Sequence, residues 1–332
     1  MDPVAQIRLT RELVDIDSTT GREADAGRWI ASTLRRLGYH VTEQPVAGDR
    51  VNVIASAGDP AVVFSTHFDC VPPFFPSRVE GDRLIGRGSA DAKGILAAQV
   101  AASERLRAGG ETRVGLLFVA GEERGSDGAK AANAIAPASA KFLINGEPTD
   151  NRLGTATRGV YRVKLDAAGR AAHSSRPELG DSAIDKLLDA LVALRGVVWP
   201  DDPDMGRTYY TTGLISGGVA PNVIAPEASA ELMFRTVGDH QEIRARVDAA
   251  TRGLVACEDI LVVPPVRLTT VPGIDTAAFN FTTDIPFLSN WGAPLLIGPG
   301  AVEEAHTDHE HVAIRELEAA VDLYERLART LL

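Results

Sequence analysis

Cysteine is all but missing from this chain. Cys70 and Cys257 are the only two, which excludes a disulfide framework and fits a reducing compartment, so the cytoplasm is the expected location. Basic residues are in the minority: Lys and Arg total 34 against 45 Asp and Glu, a net charge of -11. That balance argues against nucleic acid and anionic membranes as partners, since neither would be attracted. No run is long and apolar enough to span a bilayer, and the opening MDPVAQIRLT holds no apolar signal core. Internal repeats and low-complexity tracts are absent as well. What is there, 45% hydrophobic and 24% charged residues over 332 positions, is the composition of a globular protein with a large core. Its length suits two domains.

The chemistry gathers behind short apolar runs. Ala61-Val62-Val63-Phe64 reads as a buried strand, and His67 and Asp69 follow it directly. A lone His-x-Asp is commonly a polar pair in a loop. The pattern recurs, however. Val114–Ala120 is a second such strand and ends in Gly121-Glu122-Glu123; Phe142–Asn145 is a third, followed by Glu147; Pro294–Ile297 is a fourth, followed after a longer loop by His306. Strand ends in α/β proteins point into the crevice where ligands bind. Adjacent Glu122 and Glu123 on a turn face different ways, so one can bind a metal while the other faces substrate. GRGSADAKG (86–94) leads into an apolar helix, Ile95 to Leu106, but matches neither dinucleotide nor P-loop spacing. Its Asp91 is either a helix cap or a ligand. Together His67, Asp91, Glu123, Glu147 and His306 exceed what one tetrahedral zinc uses. They suit two borderline ions sharing a bridging carboxylate and a water.

Elsewhere the periodicity predicts helices from Val4 to Ile16, after Thr20 (with Thr20-x-x-Glu23 as a capping box and Gly38 as the stop), and from Ile314 to Leu331. Strands are expected at Tyr39–Thr42 and Asn52–Ala55. The middle of the chain differs in texture. Strands at Val160–Ala167, Arg207–Ile215, Ala228–Val237 and Asp259–Leu268, with helices at Ala183–Leu194 and His240–Leu254, give the order strand-helix-strand-strand-helix-strand. That is a ferredoxin-like insert. The expected fold is therefore α/β, a mixed sheet flanked by helices over residues 1–157 and 271–332, with an α+β lid or dimerisation domain over 158–270.

Seven segments in order, STHFDCVP, GRGSADAKG, AGEE, GEPT, AAHSSRPELGDSAI, GGVAPNVIAPEASAELMFR and GPGAVEEAHTDHE, resemble the acetylornithine deacetylase and succinyl-diaminopimelate desuccinylase family. These are di-zinc amidohydrolases of the aminoacylase and carboxypeptidase superfamily. The resemblance implies a homodimer that holds two zinc ions, with cobalt or manganese as substitutes, and hydrolyses the amide of an N-acyl amino acid. His67 and Glu147 resemble the partners of one zinc, Glu123 and His306 those of the other, and Asp91 the bridge, with a cis peptide after it. Glu122 resembles the general base and Asp69 the carboxylate that orients His67. His173 resembles a residue reaching the partner subunit's site, and Asn222 and Arg235 the holders of the substrate carboxylate; a surface ion pair is the plainer reading of Arg235.

GEPT, Thr283-Asp284-Ile285-Pro286-Phe287 and the GPG at 298–300 resemble the acetylornithine deacetylase branch most, which would place the protein in arginine biosynthesis. A glycine-threonine-rich segment usual in the desuccinylases is missing, the chain is shorter than most members, and Ala92 stands where a bulkier residue or aspartate is common. The acyl group and amino acid stay open on these residues. Desuccinylation, hydrolysis of a carrier-protein-linked lysine or ornithine, and di- or carboxypeptidase activity use the same motifs. A non-catalytic di-metal binding protein would have lost Glu122 or a ligand, and none is missing.

Overall fold

The computed structural model describes residues 1–332, and the chain divides into two units. One comprises Met1–Thr155, Leu268–Ala277 and Thr283–Leu332; the other comprises Ala156–Arg267 and Ala278–Thr282. Placing 278–282 with the insert differs from the expected division. Arg158 holds that segment, donating its backbone N–H to Phe279 O and its side chain to Asn280 Oδ1.

The first unit is built on a six-stranded sheet in the order His40–Ala47, Arg50–Ser56, Val114–Val119, Val62–His67, Phe142–Asn145, Ala293–Leu296. The first two joins are antiparallel and the last three parallel. Parallel strands covered on both faces need apolar residues throughout, and Val62–His67 and Val114–Val119 are buried at every position. Alternation divides them between two cores. Phe64, Leu116, Phe118 and Ile144 face the helices Pro3–Val14, Ala24–Arg36, Lys93–Ala108 and Ile314–Leu331, whereas Val63, Leu117, Val119 and Leu143 pack with Leu288 and Trp291. No helix is long and apolar enough to cross a membrane.

The capping box is not formed. The second helix starts at Ala24, no side chain caps it, and Glu23 is buried against Arg50. Thr20 instead donates its hydroxyl to Asp69 Oδ2 at 2.9 Å. Gly38 does sit just past the end of this helix, at φ +90°. The helix Lys93–Ala108 is preceded by Ala92 without a side-chain cap, so Asp91 is not its cap. The Asp91–Ala92 peptide is cis.

The second unit has a four-stranded antiparallel sheet in the order Tyr209–Gly217, Glu227–Thr236, Gly159–Ala168, Ala256–Val263. With helices Ala183–Arg195 and His240–Ala250 the chain order is that of a ferredoxin-like unit. Tyr161, Val163, Leu165 and Ala167 share one buried core with Leu187, Leu194, Ile243 and Val247 of the helices. The last strand lies earlier than Asp259–Leu268 because Pro264 and Pro265 end it, having no N–H to give the ladder. Tyr209–Gly217 is an edge strand, with Leu214 61% and Ile215 59% exposed.

Close packing at the strand ends tolerates no added bulk at Gly146, the residue before Glu147. A Cβ there would stand 2.3 Å from Ile95 Cγ2 and 2.9 Å from the Tyr324 hydroxyl. Gly146→Ala is therefore expected to cost about 1–3 kcal/mol through overpacking, read as a lower denaturation midpoint. An unchanged midpoint would show that the helix Lys93–Ala108 can retreat from this strand.

Candidate metal centre

The parallel strands end at a common edge, and their loops carry polar residues into one cluster of the first unit. His67 closes the strand Val62–His67; Glu122 and Glu123 follow Val114–Val119 after Gly121, whose φ of +82° turns the chain sharply. Glu147 follows Phe142–Asn145, and His306 lies beyond Ala293–Leu296 with a φ of +65°. Asp91 enters from the loop before the helix Lys93–Ala108.

These side chains form two triads that share Asp91. His67, Asp91 and Glu147 offer ligand atoms within 4.8 Å of one another, and so do Asp91, Glu123 and His306. Asp91 divides its carboxylate between them: Oδ1 is 2.9 Å from His67 Nε2, and Oδ2 is 3.4 Å from His306 Nε2. His306 Nε2 also lies 3.0 Å from Glu123 Oε1, and His67 Nε2 lies 3.8 Å from Glu147 Oε2. Glu147 Oε1 is buried with no hydrogen-bond partner. Two imidazoles, three carboxylates and an unsatisfied buried oxygen make a donor set that fits two divalent cations with N/O preference.

The electrostatics follow from crowding. Burial alone would lower the His67 pKa; hydrogen bonds to Asp69, Asp91 and Glu147 outweigh it and raise the pKa well above the usual histidine value. His306, hydrogen-bonded to Asp91 and Glu123, is raised to about 10. Burial pushes Glu147 up to about 8. Asp91 goes the other way: burial works against its ionised form, but the hydrogen bonds from His306 and His67 hold its pKa below the carboxylate range. Burial, then the neighbouring charge of Glu147, raises Glu122 well above an ordinary glutamate. The Glu122 carboxylate makes no hydrogen bond or ion pair. Asp284, buried and raised to about 6 by that burial, adds negative charge beside Glu122.

Asp69 does more than face His67. His67 Nδ1 is 3.1 Å from the Asp69 carbonyl oxygen and 3.4 Å from its Oδ1. The carboxylate is chiefly occupied elsewhere, accepting backbone N–H groups of Gly121, Glu122 and Glu123 at 3.0, 3.0 and 3.2 Å. It thus fixes the turn on which both glutamates stand. Sequence reasoning overlooked Glu310, a buried carboxylate that accepts backbone N–H groups of the Asp91 loop. Its signal was a place four residues after His306, at the end of the segment GPGAVEEAHTDHE.

His173, Asn222 and Arg235 belong to the second unit. His173 and Asn222 lie in adjacent loops, joined by the Ser174 N–H donated to Asn222 O at 3.0 Å. His173 Nδ1 accepts the Ser175 N–H at 3.1 Å, which places the neutral ring's proton on Nε2. Arg235, on the strand Glu227–Thr236, is half-buried and makes no ion pair, unlike the surface pair weighed for it.

Three comparisons bear on this arrangement. The family model of peptidase family M20/M25/M40 matches residues 63–330. A peptidase M20 domain-containing protein of Schizosaccharomyces pombe is 37% identical over 333 residues, covering 97% of this chain and 83% of that protein. A protein of Aspergillus clavatus named probable carboxypeptidase is 35% identical over 368 residues, covering 97% and 81%. Among solved structures, aminopeptidase PepT from Bacillus cereus shares the fold with a TM-score of 0.85 at 19% identity, over 100% of this chain and 99% of the other.

A cation entering this cluster has to displace protons. Near pH 7 both His306 and Glu147, with pKa values of about 10 and about 8, hold theirs. Divalent-metal affinity should therefore rise from about pH 6 to pH 9, and loading near pH 7 should release protons. Calorimetry in buffers of different ionisation enthalpy measures that release. Binding without it would contradict the pKa shifts.

Proposed function

Because the chain belongs to peptidase family M20/M25/M40 and is a hydrolase of that family, we propose that it cleaves an amide bond next to a free carboxylate in a small peptide. The observation that carries the metal-dependent chemistry is Asp91, whose two oxygens each join a separate triad of ligand atoms. His67, Asp91 and Glu147 would hold one cation, and Asp91, Glu123 and His306 the other; zinc suits the set, with cobalt or manganese as substitutes. Bound there, the cations supply Lewis acidity, which polarises a carbonyl and lowers the pKa of water.

The protein's own part falls to Glu122. Its carboxylate has no partner to compete for a proton, and its raised pKa brings it towards the working pH, where a general base is most effective. It takes the proton from the attacking water as the C–O bond forms. The same proton then passes to the amide nitrogen as the C–N bond breaks, leaving a carboxylic acid and an amine. Asp69 keeps Glu122 in place through the backbone, so the base cannot drift as its charge changes.

In the second unit, Arg235 has no ion-pair partner and offers a free cation for the substrate carboxylate, with Asn222 as a further donor. His173 offers an Nε2 proton suited to a carbonyl oxygen that gains negative charge. The unpaired edge Tyr209–Gly217, with its exposed Leu214 and Ile215, supports a homodimer in which His173 serves the partner's site.

The carboxypeptidase reading takes precedence because a relative with that name is 35% identical over nearly all of this chain. An acetylornithine deacetylase-like activity on N-acyl amino acids is the second reading. Its support is the GEPT, TDIPF and GPG segments. A panel of dipeptides, tripeptides, N-acetyl-ornithine, N-acetyl-citrulline and N-succinyl-diaminopimelate, assayed with zinc, cobalt or manganese, separates the two. Turnover of the N-acetyl compounds alone would replace the first reading by the second.

Glu122→Gln should keep its metal and lose about 100-fold or more of kcat, while Glu123→Gln should lose metal. Identical behaviour of the two variants would dissolve the distinction drawn between the neighbours. For the dimer, Glu122→Ala and His173→Ala should each be nearly inactive, yet co-refolded in equal amounts they should restore about a quarter of the sites. No recovery, with subunit exchange demonstrated, would assign His173 to its own chain or to no catalytic part.

A further inference from the structure

Two loops bring ligands to the second triad, and one buried carboxylate fastens them together. The strand Arg83–Ile85 runs into the loop of Asp91; the strand His311–Ala313 follows the loop of His306. The two strands pair antiparallel, His311 opposite Ile85. This register sets Glu310 against the start of the Asp91 loop, where the Gly86 N–H donates to the Glu310 carbonyl at 3.0 Å.

The side chain then reaches further. Glu310 Oε1 accepts the backbone N–H groups of Gly88, Ala90 and Asp91 at 2.9, 3.1 and 3.1 Å. Its Oε2 accepts from Arg87 Nη1 at 2.5 Å. Arg87 is 1% exposed and Glu310 fully buried. A buried pair of this kind is a weak source of stability, since desolvation offsets most of the attraction. Its geometry is specific, however, because three N–H groups converging on one oxygen leave the loop a single path. The fully buried Asp69 grips Gly121–Glu123 with both oxygens, Oδ1 accepting from Gly121 and Glu122 and Oδ2 from Glu123.

We propose that Glu310 is a positioning residue for the metal centre: it holds the Asp91 loop and, being four residues from His306 in the chain, couples the bridging carboxylate to the most exposed ligand. The inference rests on the two-cation reading given above. Asp91 serves both triads and His306 only the second. Loosening Glu310 therefore weakens the cation at Asp91, Glu123 and His306 more than the one at His67, Asp91 and Glu147.

The test is metal titration of the whole metal-free protein with zinc, by calorimetry, alongside cobalt titration followed by its visible absorption. Glu310→Gln keeps the shape and one acceptor oxygen but sets an amide N–H against Arg87; Glu310→Asp keeps the charge and shortens the reach. The expected result is two ions in the wild type. In both variants the first ion should bind nearly as before, and the second about 10–100-fold more weakly. Circular dichroism and melting of the metal-free forms should match the wild type. Unchanged affinity for both ions in either variant would overturn the proposal, as would equal weakening of the two. Loss of folding in both metal-free variants would also overturn it, making Glu310 a structural residue only. A wild type that binds fewer than two ions would instead sink the two-cation reading, and this inference with it.

Discussion

The arrangement depends on holding Asp91, Glu122, Glu123 and Glu147 close together against their mutual repulsion. Asp69 and Asp284 add charge around the same cluster. In a site with low effective dielectric such repulsion is far stronger than in water. Flexible loops would relieve it by moving apart. Here His67 and the turn of Glu122 and Glu123 come from strands buried at every position, and rearranging them would open the core of the first unit. The cost is visible in the titration of the groups. His67 and His306 hold protons more firmly than free imidazole, and Glu147 resists ionising. A site so rich in carboxylate is chemically prepared for multiply charged cations.

Rigid strands alone would not set the ligands. The residues after a strand end are loops, and loops need their backbone groups satisfied. Asp69 and Glu310 meet that need from within the protein, each accepting three consecutive or near-consecutive N–H groups. Each makes a loop as definite as a helix turn without making it regular. The two anchors differ in their electrostatics: Asp69 is held below its ordinary value despite burial, by His67, Thr20 and the Glu122 N–H, whereas burial pushes Glu310 up to about 7.

The clustering of His67, Asp91, Glu123, Glu147 and His306 was legible in the sequence because apolar runs and the polar residues behind them are local patterns. The ferredoxin-like unit was legible in the same way, from the order of its periodic segments. The anchors were less so. A carboxylate that accepts backbone N–H groups from a loop some 220 residues away leaves no periodic trace. Thr20 illustrates the opposite error. Its spacing to Glu23 satisfied a local capping rule, but the hydroxyl went to Asp69 and Glu23 went to Arg50, a tertiary preference that overrode the local one. The second unit's last strand stops at Val263 for a simpler reason, since Pro264 and Pro265 have no N–H to continue the ladder.

The two triads are unequal in support, and this inequality follows from how each ligand is carried. His67 ends a central strand and is 1% exposed, and Glu147 stands two residues beyond another strand, behind the tightly packed Gly146. His306 is 51% exposed on a long loop with a left-handed backbone. Its partner Glu123 sits on a turn whose geometry is borrowed from Asp69. Side chains fixed by packing lose little further freedom when they bind, whereas loop-borne ones lose more. A cation at His67 and Glu147 would therefore meet a prepared site. One at Glu123 and His306 would depend on Asp69 and Glu310 to keep its ligands in place. Glu122 stands beside Glu123 on that same turn, so the Asp69 carboxylate that steadies Glu123 also steadies the proposed base.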